Sequence, residues 1–64
     1  MKVRDMLRFI EEDGWRFRAQ KGSHRQYVHP TKKGRVTIPG KPGDDLSPGV
    51  LRSIFHQAQI RRSQ

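Results

Sequence analysis

The sequence predicts an α+β fold in the order helix, three strands, helix, with a three-stranded antiparallel sheet that carries both helices on one face and leaves the other open. Three observations lead there. Apolar residues recur at helical spacing near both ends of the chain. Apolar and polar residues alternate through the middle, and Gly, Pro and Ser fall where each element has to stop.

The first helix runs from Val3 to Asp13. Val3, Met6, Leu7 and Ile10 make one stripe, Phe9 widens it, and Gly14 stands at the C-terminal cap. Trp15 to Gln20 reads as a half-buried strand, with Trp15, Phe17 and Ala19 on one side and Arg16 and Arg18 on the other. Lys21-Gly22-Ser23 supplies turn chemistry. The next strand, His24 to His29, rests on Tyr27 and Val28; Pro30 to Gly34 is a loop, and Arg35 to Ile38 alternates again up to Pro39. The Gly- and Pro-rich run from Gly40 to Asp45 is a long connection within one domain, so residues 1–64 are expected to fold as a single unit. Ser47 is placed to cap the second helix, with Pro48 at its first position and Leu46 set to staple onto Leu51. Leu51, Ile54, Phe55 and Ala58 form that helix's apolar stripe, and Arg61 to Gln64 reads as a frayed basic tail.

Strand alternation then assigns the faces. Trp15, Phe17, Tyr27, Val36 and Ile38 are expected to point into the core, and Arg16, Arg18, His24, Gln26, Arg35 and Thr37 to share the outer face or its rim, with His24 among arginines.

With 64 residues and no Cys, the chain has neither a disulfide framework nor a Cys-based zinc site, and it folds on a small core alone. No apolar run approaches the roughly 20 residues that span a bilayer, and charges at Lys2, Arg4 and Asp5 stand where a secretion signal would turn apolar, so a cytoplasmic protein is expected. The 14 Lys and Arg against 6 Asp and Glu leave a formal charge of +8. Between Asp13 and Asp44 there is no carboxylate, while Arg16, Arg18, Lys21, Arg25, Lys32, Lys33, Arg35 and Lys41 all fall there. Such a stretch suits a polyanion, with nucleic acid the first candidate; the bland alternative is a solvated basic surface that keeps a small protein soluble.

Gly22-Ser23-His24 is the most suggestive local cluster. Gly lets the backbone approach a ligand, Ser offers a hydroxyl, and His moves protons near neutral pH. Alone it is also what any hairpin turn looks like. RNA cleavage needs a base for the proton of a 2′-hydroxyl and cations for the phosphate, roles open to His24 with Arg16, Arg18, Arg25 and Lys21. His29, before Pro30, suits a structural or merely exposed role, with a second proton carrier as the alternative, and His56 a solvated place on the second helix. Three scattered His and six dispersed acids make a poor metal site, and no phosphate-binding Gly loop, dinucleotide fingerprint or Ser-His-Asp set is present.

These residues together resemble the HicA toxins of HicA and HicB toxin-antitoxin pairs. The likeness runs through Asp13-Gly14-Trp15, Gln20-Lys21-Gly22-Ser23-His24, Tyr27, His29-Pro30, Arg35-Val36-Thr37-Ile38-Pro39 and Leu46 to Ile54. It implies a double-stranded-RNA-binding-like fold, cleavage of messenger RNA with no required cofactor or metal, and growth arrest relieved by a HicB-like antitoxin through which any contact with DNA would be made. It also implies that His24 is the catalytic residue and that Gly22 and Ser23 form the motif's turn. Arg16, Arg18, Lys21, Gly22, Ser23, Arg25 and Arg35 are then expected to hold the RNA. Two departures stand out: Gly40-Lys41 follows Pro39 where the family often carries a further His, and Gln59 stands where a Gly commonly closes the last helix.

A non-catalytic double-stranded-RNA-binding module has the same order of elements. Such modules usually bring basic residues to the start of the second helix, whereas Asp44-Asp45-Leu46-Ser47-Pro48-Gly49 is acidic and then neutral. A basic component of a ribonucleoprotein assembly is a further alternative that the charge allows.

Overall fold

The computed structural model describes residues 1–60, in the order α1 (Val3–Glu12), β1 (Arg16–Lys21), β2 (His24–Val28), β3 (Val36–Ile38) and α2 (Pro48–Gln57). The expected tail at Arg61 to Gln64 lies outside the described residues. The strands form one antiparallel sheet in the order β1-β2-β3, so the expected α-β-β-β-α fold is the one observed.

The core is what the apolar pattern dictates. Val3, Met6 and Ile10 of α1, Trp15, Tyr27, Val36, Ile38 and Leu46 meet Ile54 and Ala58 from the second helical segment. Each large side chain among them contributes roughly 1.5–3 kcal/mol by leaving water. Tyr27 is paired with Val36 and Arg25 with Ile38, which fixes these residues to one face of the sheet, the face under the helices. Burial, with the Glu11 carboxylate close to its hydroxyl, pushes the Tyr27 phenol above its ordinary range; Arg25 partly opposes this. Phe9 is only part-buried and stands edge-on to Phe55, ring centroids 5.5 Å apart.

Phe17 departs from expectation. It is 55% exposed, because β1 is an edge strand lying beyond the cover of the helices, and its ring touches only the rim of the core through an edge contact with Tyr27. A second departure lies beside it. Phe17 pairs with Tyr27 and Ala19 with Gln26, so Arg18 is the extra residue of a β-bulge. The bulge reverses the parity of the rest of β1: Ala19, expected on Phe17's side, faces the open side of the sheet, and so does Lys21.

Both helix C-termini close with the same pair of bonds. Gly14 N–H reaches Glu11 O and Trp15 N–H reaches Ile10 O; likewise Gln59 N–H reaches His56 O and Ile60 N–H reaches Phe55 O. Gly14 meets the required positive φ of 108°, and a Cβ there would sit 2.7 Å from His29 Nε2. Gln59 adopts a φ of 57° without being glycine, and its Nε2 donates to Lys33 O at 2.6 Å.

The connection from Gly40 to Asp45 has work of its own. Lys2 gives α1 no side-chain cap; instead Val3 N–H donates to Asp44 O and Arg4 N–H to Pro42 O, which satisfies two donors of the first turn. At α2 the expected cap is present, with Ser47 Oγ accepting from Val50 N–H and Pro48 at the first position. Leu46, placed to staple onto Leu51, is buried in the core.

α2 also guards the sheet edge. Thr37 N–H, on the free side of β3, donates to Gln57 Oε1 at 2.9 Å, so the helix lies along the outer strand and its side chain takes the place of a fourth strand.

Candidate active site

The turn before His24 is two residues long, since Lys21 pairs with His24. Gly22 has a φ of 60° and Ser23 has none of the positive-φ geometry, the pattern of a type II′ hairpin with Gly at its first central position. Gln20 Nε2 donates to Gly22 O at 2.9 Å and steadies it. The turn launches His24 as the first residue of β2 on the open face, where its exposed ring makes no hydrogen bond among the described residues.

The bulge brings Lys21 to that face directly across from His24, a separation of about 5 Å between Cβ atoms for such a pair. Arg35 arrives by another route. It lies outside β3, and its Nη1 donates to Gln26 Oε1 at 3.4 Å, which draws it over the open face beside Gln26, the next residue on His24's side of β2 and about 7 Å along the strand. Arg18 and Ala19 together oppose Gln26, while Arg16 pairs with Val28, about 13 Å along the strand from His24. Lys21, Arg35, Arg18 and Arg16 therefore form a basic track of increasing distance from the imidazole.

Arg25 is not part of that track. Neighbouring residues of a strand face opposite ways, and the Arg25 guanidinium runs under the sheet to donate to Gly40 O at 3.0 Å, where it ties β2 to the connection before α2.

On its other side His24 borders a cleft of about 350 Å³, lined also by Thr37, Pro39, Val50, Ser53, Ile54 and Gln57. His24 thus sits between a basic track and an uncharged wall, not among arginines alone. Sequence reasoning placed Thr37 on this face and missed the wall. Ser53 and Gln57 stand one helical turn apart beside the apolar stripe, but the sequence does not say that α2 runs past the edge of β3.

His29 is the opposite case. Its Nδ1 accepts from the backbone N–H groups of Thr31 and Lys32, both at 3.1 Å, with the Thr31 hydroxyl at 3.2 Å, and that fixes Nε2 as the protonated nitrogen, donating to Asp13 O at 2.7 Å. Trp15 stands edge-on to the ring at 5.1 Å. Every polar position of this imidazole is used in joining the loop after β2 to the end of α1. His56 is exposed in the last turn of α2. Among the described residues no group of three or more His, Cys, Asp or Glu comes together as a metal site, and no helix is long and apolar enough to cross a membrane.

Comparison with known proteins agrees with this architecture. Among solved structures the chain is similar to one from the HicA3 and HicB3 toxin-antitoxin complex, with 28% identity, a TM-score of 0.78, and coverage of 98% of this chain and 100% of that one. No curated protein matches the sequence. The family model described as the HicA toxin of bacterial toxin-antitoxin systems matches residues 3–60, nearly the whole chain, and this chain belongs to the HicA toxin family.

Proposed function

We propose that this chain is an endoribonuclease that cuts messenger RNA without a metal or other cofactor, using His24 as its one catalytic histidine, and that a HicB-like antitoxin neutralises it. The carrying observation is the state of His24: an exposed imidazole with no internal partner among the described residues, held at a two-residue hairpin turn between a basic track and a cleft. A histidine kept only for stability would be bonded as His29 is.

The chemistry suits these parts. The 2′-oxygen of a ribose attacks the adjacent phosphorus, its proton passes to the unprotonated nitrogen of His24, the P–O5′ bond breaks, and the products are a 2′,3′-cyclic phosphate and a 5′-oxygen that takes up a proton. Lys21, directly opposite, and Arg35 meet the charge that builds on the phosphoryl oxygens; Arg18 and Arg16 hold phosphates further along the strand, and Gly22 and Ser23 let the backbone come close at the turn. Arg25 supports the site from beneath by fixing the strand. The reaction takes place in the cytoplasm, where messenger RNA is present, and DNA is contacted only through the antitoxin.

Incubation of purified messenger RNA with the protein and a chelator tests this reading. Fragments ending in 2′,3′-cyclic phosphate, and their suppression by a co-expressed HicB-like partner, are expected. Tight binding of duplex RNA with no cutting would instead favour the non-catalytic module.

A further inference from the structure

The chain carries a formal +8, yet the cleft beside His24 has no lysine, arginine or carboxylate in its lining. A phosphate therefore has a better place to go on the basic track across His24 from it. What fits the cleft is a flat, neutral group attached to something anionic, whose phosphates remain outside on Lys21 and Arg35.

The polar groups inside are also set for recognition. Thr37 N–H can only donate, so the atom of Gln57 that meets it at 2.9 Å is the carbonyl oxygen, and the amide cannot flip. Gln57 Nε2 then donates to Ser53 Oγ at 3.1 Å. On the helix side two hydrogens are left over, the second on Gln57 Nε2 and the hydroxyl hydrogen of Ser53. On the strand side the Thr37 hydroxyl also makes no hydrogen bond among the described residues. The two helix-side atoms that carry the hydrogens are 3.1 Å apart, and Pro39, Val50 and Ile54 supply the apolar part of the lining. Apolar walls with an oriented amide donor and an adaptable hydroxyl beside it make a site for the acceptor edge of a heterocycle.

We propose that this cleft is a subsite for an unpaired nucleobase adjoining the phosphate at which His24 promotes cleavage, with Ser53 and Gln57 donating to its edge and Val50, Ile54 and Pro39 enclosing its faces. The proposal rests on the ribonuclease reading above and deepens it: a base held in a duplex must give up its partner and its stacking before it enters the cleft, so the site favours single-stranded RNA. Ser53 and Gln57 are specificity-determining residues here, and neither moves a proton in the reaction.

The test uses the full chain, with guanosine 5′-monophosphate as probe because guanine's N7 and O6 present two adjacent acceptors. In NMR titrations the nucleotide is expected to shift the Val50 and Ile54 methyl signals and the Gln57 side-chain amide saturably, whereas ribose 5-phosphate, which has no base, leaves them in place. Ser53 is exposed, so Ser53→Phe fills the cleft with the helix intact, a point checked from the amide spectrum, and it should abolish those shifts. Equal shifts with ribose 5-phosphate, unaltered shifts in Ser53→Phe, or no response to the nucleotide would each overturn the subsite.

Cutting assays separate this from the parent reading. An abasic nucleotide beside the cut should slow the wild type about tenfold and Ser53→Phe no further. Equal cutting of intact and abasic RNA by the wild type would overturn the subsite and leave the ribonuclease standing. Nucleotide-dependent shifts in a folded protein that cuts no RNA would support a base site and remove the ribonuclease reading.

Discussion

The two histidines of the segment following the hairpin turn, five positions apart, are used in opposite ways. His24 begins β2, is exposed and has no internal hydrogen bond among the described residues; His29 follows the strand and has both ring nitrogens engaged. The difference follows from where the chain turns. At the His24 end a two-residue hairpin leaves nothing above the ring, whereas at the His29 end the loop folds back and supplies N–H groups within three residues. A side chain whose hydrogen-bonding capacity is spent on the fold cannot also exchange protons with a substrate. The same imidazole is thus a clasp at one end and a reagent at the other.

That contrast extends to the cations. Lys32, near His29, donates to Asp13 Oδ2 at 2.6 Å and to the carbonyls of Ala58 and Gln59, so it joins the C-terminal ends of both helices. Lys21, near His24, has no such bond among the described residues and is available to an anion.

The contrast is broken most directly by exchanging losses. His24→Ala should reduce RNA cutting by about 10²–10⁴-fold and leave the melting temperature unchanged. His29→Ala should do the reverse, costing about 2–3 kcal/mol through the lost bonds to Asp13, Thr31 and Lys32, read as a lower melting temperature with the specific rate of the folded fraction kept. Lys32→Met should cost about 1–2 kcal/mol in urea unfolding, since it removes a part-buried ion pair and two carbonyl contacts.

Two smaller effects sharpen the picture of the scaffold. The folded protein holds the Tyr27 proton more tightly than the unfolded chain, because its phenol is raised above 10.0 by burial and by Glu11. The resulting stability is whole below that pH and is lost as pH rises through the raised value. Urea midpoints should therefore fall above about pH 10, and less steeply in Tyr27→Phe. Gln59→Gly should change stability by less than about 1 kcal/mol, because relief of the left-handed backbone is offset by loss of the bond to Lys33 O.

Much of this was legible in the residues. The stripes Val3, Met6, Ile10 and Ile54, Ala58 state the buried helix faces, Ser47-Pro48 states where α2 begins, and Gly22-Ser23 states the hairpin that exposes His24. The bulge at Arg18 was not legible, since alternation through Trp15 to Gln20 continues as if no residue were extra; it is the pairing with β2 that turns Lys21 toward His24. Arg25 groups with Arg16 and Arg18 by charge, although the alternation that puts His24 and Gln26 outside and Tyr27 inside already sends it beneath the sheet. The cleft wall was hidden, as the bulge was: Ser53 and Gln57 acquire a role only when α2 lies against the edge of β3, a tertiary placement with no local signal.

The most direct test of the central claim is one time course of messenger RNA cutting, in chelator and below every melting point, by the wild type, His24→Ala and His29→Ala side by side. The account predicts that His24→Ala alone cuts about 10²–10⁴-fold more slowly while melting with the wild type, and that His29→Ala cuts normally while melting earlier. Undiminished cutting by folded His24→Ala, or loss of cutting by folded His29→Ala, would contradict it.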